Sequence, residues 1–220
     1  MARINKNETV NYGVDIIMKI KQQKQIKKFL NEEFGTDKRK ELFDKQGRIL
    51  NELIENTKNK SENQMRELIQ TILPRIALYK VLANNCGSEE DVYKYMHKYM
   101  IDIVARQKHL SMVKMEKIPG FYLIYSKIFL RVVHKTDLWE SEQKHDKNSF
   151  DVTMKKCLWH TACVENGCEK LCRLFCDVDN ITYDGLKKIG FTRTQTLGYG
   201  GNCCDFHFYK MIYREVKDEE

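Results

Sequence analysis

The segment GFTRTQTLGYGGNCCDFHFYK, residues 190–210, decides the fold of the C-terminal third of this 220-residue chain. Two strand-like runs, 191–197 and 204–209, flank a turn that contains three glycines and an asparagine. Apolar alternation on both sides of a glycine-rich turn is typical of a β-hairpin. A turn of this kind needs a glycine or two, but it does not need a nearby arginine, adjacent cysteines and an aspartate. The segment therefore predicts a hairpin that also carries the polar groups of a site.

The residues before the hairpin extend it into an α+β module. Residues 149–156, SFDVTMKK, alternate Phe150, Val152 and Met154 with polar positions and predict a strand. Helices are expected over about 157–166 and 168–188, with an interruption at Gly167. A strand, two helices and a hairpin predict an α+β fold with a small, largely antiparallel sheet.

The first 148 residues predict a mainly helical region that packs on this module. Apolar residues recur at helical spacing over about 12–34, 37–57, 62–84 and 88–103, and the apolar run 121–134 predicts a further helix. Gly35 should separate the first two helices, and Pro74 should kink or split the third. The charged segment ESEQKHDKN, residues 140–148, is interpreted as a linker. The chain is therefore divided into a helical region, 1–148, and an α+β module, 149–220, which we expect to form one compact unit.

Composition narrows the class of protein and its partners. Hydrophobic residues make up 42% and charged residues 31%, and no apolar run approaches the roughly 20 residues that span a bilayer. The first residues lack the apolar core of a signal peptide, so a cytoplasmic location is expected. Residues 1–148 hold 28 Lys and Arg against 20 Asp and Glu, but no nucleic-acid-binding motif accompanies this excess. We therefore expect a small-molecule substrate, no nucleic acid and no membrane span, and we leave a homo-oligomer open.

The cysteines are concentrated near the predicted module. Seven of the eight fall within residues 157–204, with none of the C-x-x-C pairs typical of structural zinc. Without a signal peptide, reduced thiols are expected rather than disulfides. Cys168, Cys172 and Cys176 recur every four residues and would share one face of an unbroken helix. We interpret Cys163, Cys168 and Cys172 as small buried hydrophobic residues.

Four blocks carry a resemblance to a known family. FDVTMKKC at 150–157, LFCDVD at 174–179 and GFTRTQTLGYGGNCCDFHF at 190–208, with ILPRIALYKVL at 72–82, resemble the L-2-amino-thiazoline-4-carboxylic acid hydrolase family. The resemblance implies a hydrolase that opens a cyclic amidine such as 2-amino-thiazoline-4-carboxylate to N-carbamoyl-cysteine, cleaving at a C–N/C–S centre. The alternative is a non-catalytic small-molecule-binding or sensing module that uses the same pocket.

Such a reaction needs an activated water or a protein nucleophile, a proton donor and an anchor for the substrate carboxylate. Arg193 is the candidate anchor because its guanidinium can bind a carboxylate in a bidentate manner. Alternatively, Arg193 forms an ion pair with Asp177, Asp179 or Asp205. It can make this ion pair and bind the substrate at the same time. Along a strand, Thr194 and Thr196 should share one face, with Arg193 on the other. The predicted substrate-binding residues are Arg193, Thr194, Thr196 and His207.

Carboxylates and thiols supply the candidate catalytic groups. Asp179 and Asp205 are the candidate general bases, because burial can raise a carboxyl pKa towards neutrality. Cys157, Cys176 and Cys204 stand at positions that match the family, although Leu158 replaces the proline that many relatives have after the first cysteine. Cys157 is the best nucleophile, because a helix that begins there would lower its pKa.

The sequence requires no cofactor. A divalent metal that activates water is the remaining option, with Cys157, Cys176, Cys204, Asp205 and His207 as competent ligand types. His207 should lie on the same strand face as Asp205, as a ligand or a proton shuttle.

Overall fold

The structure is a computed structural model that describes residues 20–211. The chain divides into two compact units between Tyr95 and Met96. The first unit contains helices α1 (Lys21–Asn56), α2 (Glu62–Glu67) and α3 (Leu73–Asn85), with a π-helical segment Leu68–Ile72 between the last two. Helix α4 (Glu89–His97) crosses the division. The start of the first predicted helix, residues 12–19, lies outside the described residues.

Local signals in the first unit confirm the predicted breaks. Gly35 interrupts α1 with φ 76°, in the left-handed region that favours glycine. Ser61 caps α2 through a capping box, in which the Gln64 amide donates to Ser61 Oγ and Gln64 Oε1 accepts from the Ser61 amide. Pro74 stands in the first turn of α3, directly after the π-helical segment, at a position where its missing N–H is tolerated. The backbone stays helical through Ile72 and Leu73, so the proline is marked by a change of helix type.

The described part of the second unit, residues 96–211, contains a π-helical segment, four α-helices and the sheet. A π-helical segment, Lys98–Ala105, leads into α5 (Arg106–Met115), followed by α6 (Phe121–Lys135), α7 (Leu158–Glu165) and α8 (Glu169–Tyr183). The strands are β1 (Trp139–His145), β2 (Ser149–Cys157), β3 (Ile189–Thr192) and β4 (Cys204–Lys210), in the order β1-β2-β4-β3. All three pairings are antiparallel. The predicted α+β fold, with a helical N-terminal part and a small antiparallel sheet, is confirmed.

Two predicted boundaries are wrong. The segment 140–148 is not a linker, because most of it forms strand β1 at the edge of the sheet, where Glu140 and Glu142 pair with Lys156 and Lys155 of β2. Strand β3 ends at Thr192 rather than at residue 197, because the next amides bind a side chain instead of a neighbouring strand. The division into domains after residue 148 stays a prediction.

The inner face of the sheet forms the core of the second unit. Phe150, Val152 and Met154 of β2 alternate with polar residues, as do Cys204, Phe206 and Phe208 of β4. The rings of Phe150 and Phe208 stack with centroids 4.7 Å apart, and Phe129 of α6 packs 5.1 Å from Phe208. Because side chains alternate along a strand, Asp205 and His207 lie on the opposite, outer face.

Within residues 20–211, no helix combines the length and apolar character needed to cross a bilayer.

Candidate functional site

The predicted site residues divide between the two faces of the sheet. An inner cluster contains the predicted residues Cys157, Cys176, Asp179, Arg193, Thr196 and Cys204. Cys172, which was interpreted as a core residue, lies beside them. An outer group contains Thr194, Asp205 and His207. The sequence predicted one site from both sets, and the alternation of β4 separates them.

Arg193 is the centre of the inner cluster. Its side chain is 8% exposed, and its Nη2 donates to the carbonyl oxygen of Cys176 at 2.9 Å. Nη2 lies 3.9 Å from Asp177 Oδ1, and Nη1 lies 3.9 Å from Asp179 Oδ2. Nη1 is buried and donates no hydrogen bond to any residue within 20–211. The buried guanidinium therefore keeps at Nη1 a donor that makes only the 3.9 Å ion pair with Asp179.

Asp179 is the carboxylate best suited to act as a base. Burial raises the pKa of its carboxyl group, and the charges of Lys108 and Arg193 only partly oppose that rise. The side chain still exposes 34% of its surface, so solvent reaches it. A carboxylate with a raised pKa is a stronger base than an ordinary carboxylate, and the fixed cation beside it can hold an anionic substrate.

Two tyrosines near Asp179 were missed by the sequence reasoning. The hydroxyls of Tyr125 on α6 and Tyr183 on α8 lie 2.5 Å apart. The pKa of each phenol is raised, first by burial and also by the charge of Asp179. Tyr183 follows Asp179 by four residues on α8, so helical spacing was the available signal. Both phenols stay neutral and add hydrogen-bonding groups beside the carboxylate.

Three neighbouring thiols, of Cys163, Cys172 and Cys176, lie beneath the glycine-rich loop. The thiols of Cys163 and Cys176 lower the pKa of Cys172, against the effect of burial. The pKa of Cys176 is raised, first by the neighbouring thiol of Cys172 and then by burial. Cys172 is buried as predicted, and its four-residue spacing from Cys176 was the available signal that the two thiols lie together.

Cys157 and Cys204 are also protonated thiols near neutral pH. Cys157 is the residue before α7, as predicted, but burial raises its pKa to about 12 despite the opposing amides of His160 and Trp159. Burial likewise raises the pKa of Cys204, whose Sγ accepts a hydrogen bond from the Leu197 amide at 3.4 Å. The expected lowering of the Cys157 pKa is therefore wrong, because desolvation outweighs the helix N-terminus. The catalytic roles of these cysteines stay predictions.

The loop 193–203 packs directly on the thiols. Thr196 is buried beside Cys176 and opposes the rise in its pKa. A Cβ added at Gly198 would lie 2.8 Å from Cys176 Sγ and 3.1 Å from Cys172 Sγ. The Tyr199 hydroxyl donates to Asp177 Oδ2 at 2.7 Å and ties the loop to α8. Position 198 therefore requires glycine, because the loop backbone lies too close to the two cysteine sulfurs for a side chain.

Replacing Gly198 by alanine is expected to move the loop away from α8. The added methyl group should lower the free energy of unfolding by about 1–3 kcal/mol and speed alkylation of Cys176 by iodoacetamide. Urea unfolding and peptide mass spectrometry measure the two effects. Gly87→Ala, where an added Cβ meets nothing within 4 Å, is the control. Equal behaviour of the two variants would show that the loop does not rest on the thiols.

In the outer group, Asp205 organises the loop. Its carboxylate accepts hydrogen bonds from the Thr194 amide at 3.0 Å, the Gln195 amide at 2.8 Å and the Thr194 hydroxyl. Burial acts to raise the pKa of Asp205, but these bonds outweigh it and lower the pKa overall. Thr194 is exposed whereas Thr196 is buried, so the expectation that they share a strand face is wrong. The base role of Asp205 stays a prediction, and a lowered pKa makes it the weaker base.

Substituting Asp205 by asparagine is expected to loosen this loop. Because the folded pKa is lowered, the stabilisation is present above the unfolded pKa and disappears as pH falls through the folded pKa. The variant should lose about 1–2 kcal/mol at neutral pH and nothing in strong acid. Urea unfolding over a pH series checks this, with the exposed Asp102→Asn as control. A penalty that does not change with pH would contradict the assignment.

His207 pairs with a residue that the sequence did not indicate. Its Nδ1 lies 2.6 Å from Asp151 Oδ1, and the two residues are direct partners in the β2–β4 pairing. They line an open groove of about 290 Å³ on the outer face, with Thr153 and Asp205. The groove is separated from Arg193 by the sheet, so the predicted role of His207 in the same pocket stays a prediction.

The candidate metal donors do not form one ligand set. Cys157, Cys176 and Cys204 lie on the inner side, whereas Asp205 and His207 lie on the outer face. Across residues 20–211, no three His, Cys, Asp or Glu side chains are arranged to hold a metal ion.

Comparisons with known proteins support a family assignment. No curated protein matches the chain. A solved structure of an Fe(II) unliganded H-NOX protein mutant from K. algicida is 12% identical and covers 93% of this chain and 98% of its own, with a TM-score of 0.27, which is too low to support an argument. A family model described as L-2-amino-thiazoline-4-carboxylic acid hydrolase matches residues 63–208. Because that match spans more than half of the sequence, the chain belongs to the L-2-amino-thiazoline-4-carboxylic acid hydrolase family.

Proposed function

We propose that this protein hydrolyses a small cyclic amidine that carries a carboxylate, such as 2-amino-thiazoline-4-carboxylate, to N-carbamoyl-cysteine. The observation that carries the proposal is the buried guanidinium of Arg193, which has an unused donor at Nη1 and lies 3.9 Å from Asp179. In this proposal the guanidinium anchors the substrate carboxylate, and the carboxyl group beside it has a raised pKa. The family description supports the substrate class.

In the proposed reaction, Arg193 binds the substrate carboxylate, and Asp179 activates water. The Asp179 carboxylate removes a proton as the water oxygen bonds to the ring carbon between sulfur and nitrogen, and the C=N π electrons move to the nitrogen, from which they re-form the double bond when sulfur leaves. The resulting tetrahedral centre breaks its C–S bond, and the sulfur leaves with the electron pair. Asp179 returns the proton to that sulfur, and the remaining group becomes the carbamoyl product by proton transfer. The sum is substrate plus one water, so no further reactant is needed.

The thiols support a water mechanism over a covalent one. Cys157, Cys176 and Cys204 have raised pKa values, so each is a weak nucleophile near neutral pH. Asp179 has the opposite property, since a raised pKa makes a carboxylate a stronger base. We therefore assign Cys157, Cys176 and Cys204 to the neutral lining of the site, and Arg193 and Asp179 to the substrate and the water.

Turnover of 2-amino-thiazoline-4-carboxylate by the purified full chain tests this function. Mass spectrometry should detect a product heavier by one water, formed in excess over the enzyme. Parallel reactions with a chelator and with added divalent ions should give the same rate. Stoichiometric binding without turnover would favour the sensing-module alternative, and folded protein that neither binds nor converts the compound would refute the proposal.

A further inference from the structure

Helix α6 presents an unusual face to solvent. Its inner side packs on the sheet through buried Phe121, Tyr122 and Val133. Its outer side nevertheless exposes four large apolar residues by 45–57% of their surface, and these are Leu123, Ile124, Ile128 and Val132. Scattered apolar residues are normal at a surface, but a contiguous group on one helix marks an interaction site.

The exposed face is also basic. Residues four apart on a helix form rows along its axis, so Ile124, Ile128 and Val132 make an apolar row. Leu123 and the exposed Lys127, Arg131 and Lys135 make the adjacent row. The sequence of α6, FYLIYSKIFLRVVHK, contains no acidic residue. An apolar row therefore runs beside a basic row with no negative charge in the helix.

The end of α5 and the turn that precedes α6 continue this pattern. Met115 and Ile118 are 40% and 46% exposed next to Lys114 and Lys117. The one acidic residue of the turn, Glu116, is buried, and its carboxylate accepts hydrogen bonds from the amides of Lys187 and Lys188 at 3.0 and 2.6 Å. The one carboxylate between residues 114 and 135, that of Glu116, is thus buried and does not offset the basic side chains at the surface.

We propose that α6 and its preceding turn bind the surface of an anionic lipid bilayer, with the helix lying in the interface. At such a surface the apolar row inserts between the lipid chains, and the lysine and arginine side chains bind the phosphate groups of the headgroups. A second copy of the chain fits less well, because two α6 helices packed face to face would bring like charges together. At 15 residues, α6 is shorter than the roughly 20 residues of a membrane span.

Vesicle flotation of the full chain tests this proposal. The protein should float with vesicles of phosphatidylcholine and phosphatidylglycerol but not with phosphatidylcholine alone, and added salt should weaken binding. Ile128→Glu should lower the partition coefficient at least tenfold. Each of Lys127→Ala and Arg131→Ala should lower it about fivefold. Val164→Glu, which places the same charge at a 46% exposed position on α7, is the control and should bind like the parent.

Several outcomes would overturn the proposal. These are no flotation of the folded parent with anionic vesicles, equal flotation with both vesicle types, or unchanged binding by Ile128→Glu. Light scattering provides a further test. A parent dimer that Ile128→Glu dissociates, without any vesicle binding, would assign the face to a second copy instead. Because Ile128 lies outside the inner cluster, these results are independent of hydrolysis.

Discussion

Replacing Arg193 by lysine is expected to lower kcat/KM for 2-amino-thiazoline-4-carboxylate by about 10- to 100-fold, mainly through KM. Lysine keeps the positive charge but cannot make the planar two-point contact with a carboxylate. The estimate corresponds to one or two charge-assisted hydrogen bonds. Lysine also leaves a positive charge near Asp177 and Asp179, so the fold is less disturbed than by alanine. Steady-state kinetics measure the loss, and Arg106→Lys at an exposed position of α5 is the matched control.

A substrate without the carboxylate separates binding from structural damage. The ring compound 2-amino-thiazoline should react slowly with the parent, because it cannot use Arg193. Its rate should be nearly the same with Arg193→Lys. If the variant loses rate equally on both compounds, Arg193 acts on the fold and does not anchor the carboxylate.

Substituting Asp179 by asparagine is expected to lower kcat by about 10²- to 10⁴-fold, the usual loss when a general base is removed. For the parent, kcat/KM should rise with pH as Asp179 ionises through its raised pKa, and then level off. The variant should lack this rising limb. Kinetics over a pH series with both proteins measure the change.

The same variant should remain folded. A carboxyl group whose folded pKa is raised favours folding when protonated, and this contribution is lost as pH rises through the folded pKa. Removing it should therefore not destabilise the protein at neutral pH through this group. Asp177→Asn is the control, because Asp177 lies at the same 3.9 Å from the Arg193 guanidinium on the same helix. The control should keep the rise of kcat/KM with pH. If both variants lack this rise, Asp179 is not the specific general base.

The helical breaks could be predicted because their causes are local. Gly35, Ser61 and Pro74 act through their own backbone or through neighbours within a few residues. Strand β1 was missed because its charged residues face solvent at a sheet edge, and a charged edge strand has the composition of a linker. Residues 139–145 form a strand because they pair with β2, and this pairing cannot be recognised from the local composition.

The part of the site that could be predicted also depends on local spacing along the chain. Helical spacing predicted that Cys172 and Cys176 share one face of α8, and both thiols do lie together next to Gly198. The alternation expected over residues 193–196 failed because Asp205 binds the amides of Thr194 and Gln195. The raised pKa of Cys157 follows from burial, which depends on packing between distant segments.

The most direct test compares progress curves of the parent, Asp179→Asn and Cys157→Ser with 2-amino-thiazoline-4-carboxylate, with intact-protein mass spectrometry of each reaction. We expect sustained turnover by the parent and by Cys157→Ser, almost none by Asp179→Asn, and no covalent adduct on any protein. Turnover that persists in Asp179→Asn but stops in Cys157→Ser, with an adduct on the parent, would contradict the account and assign the reaction to a thiol.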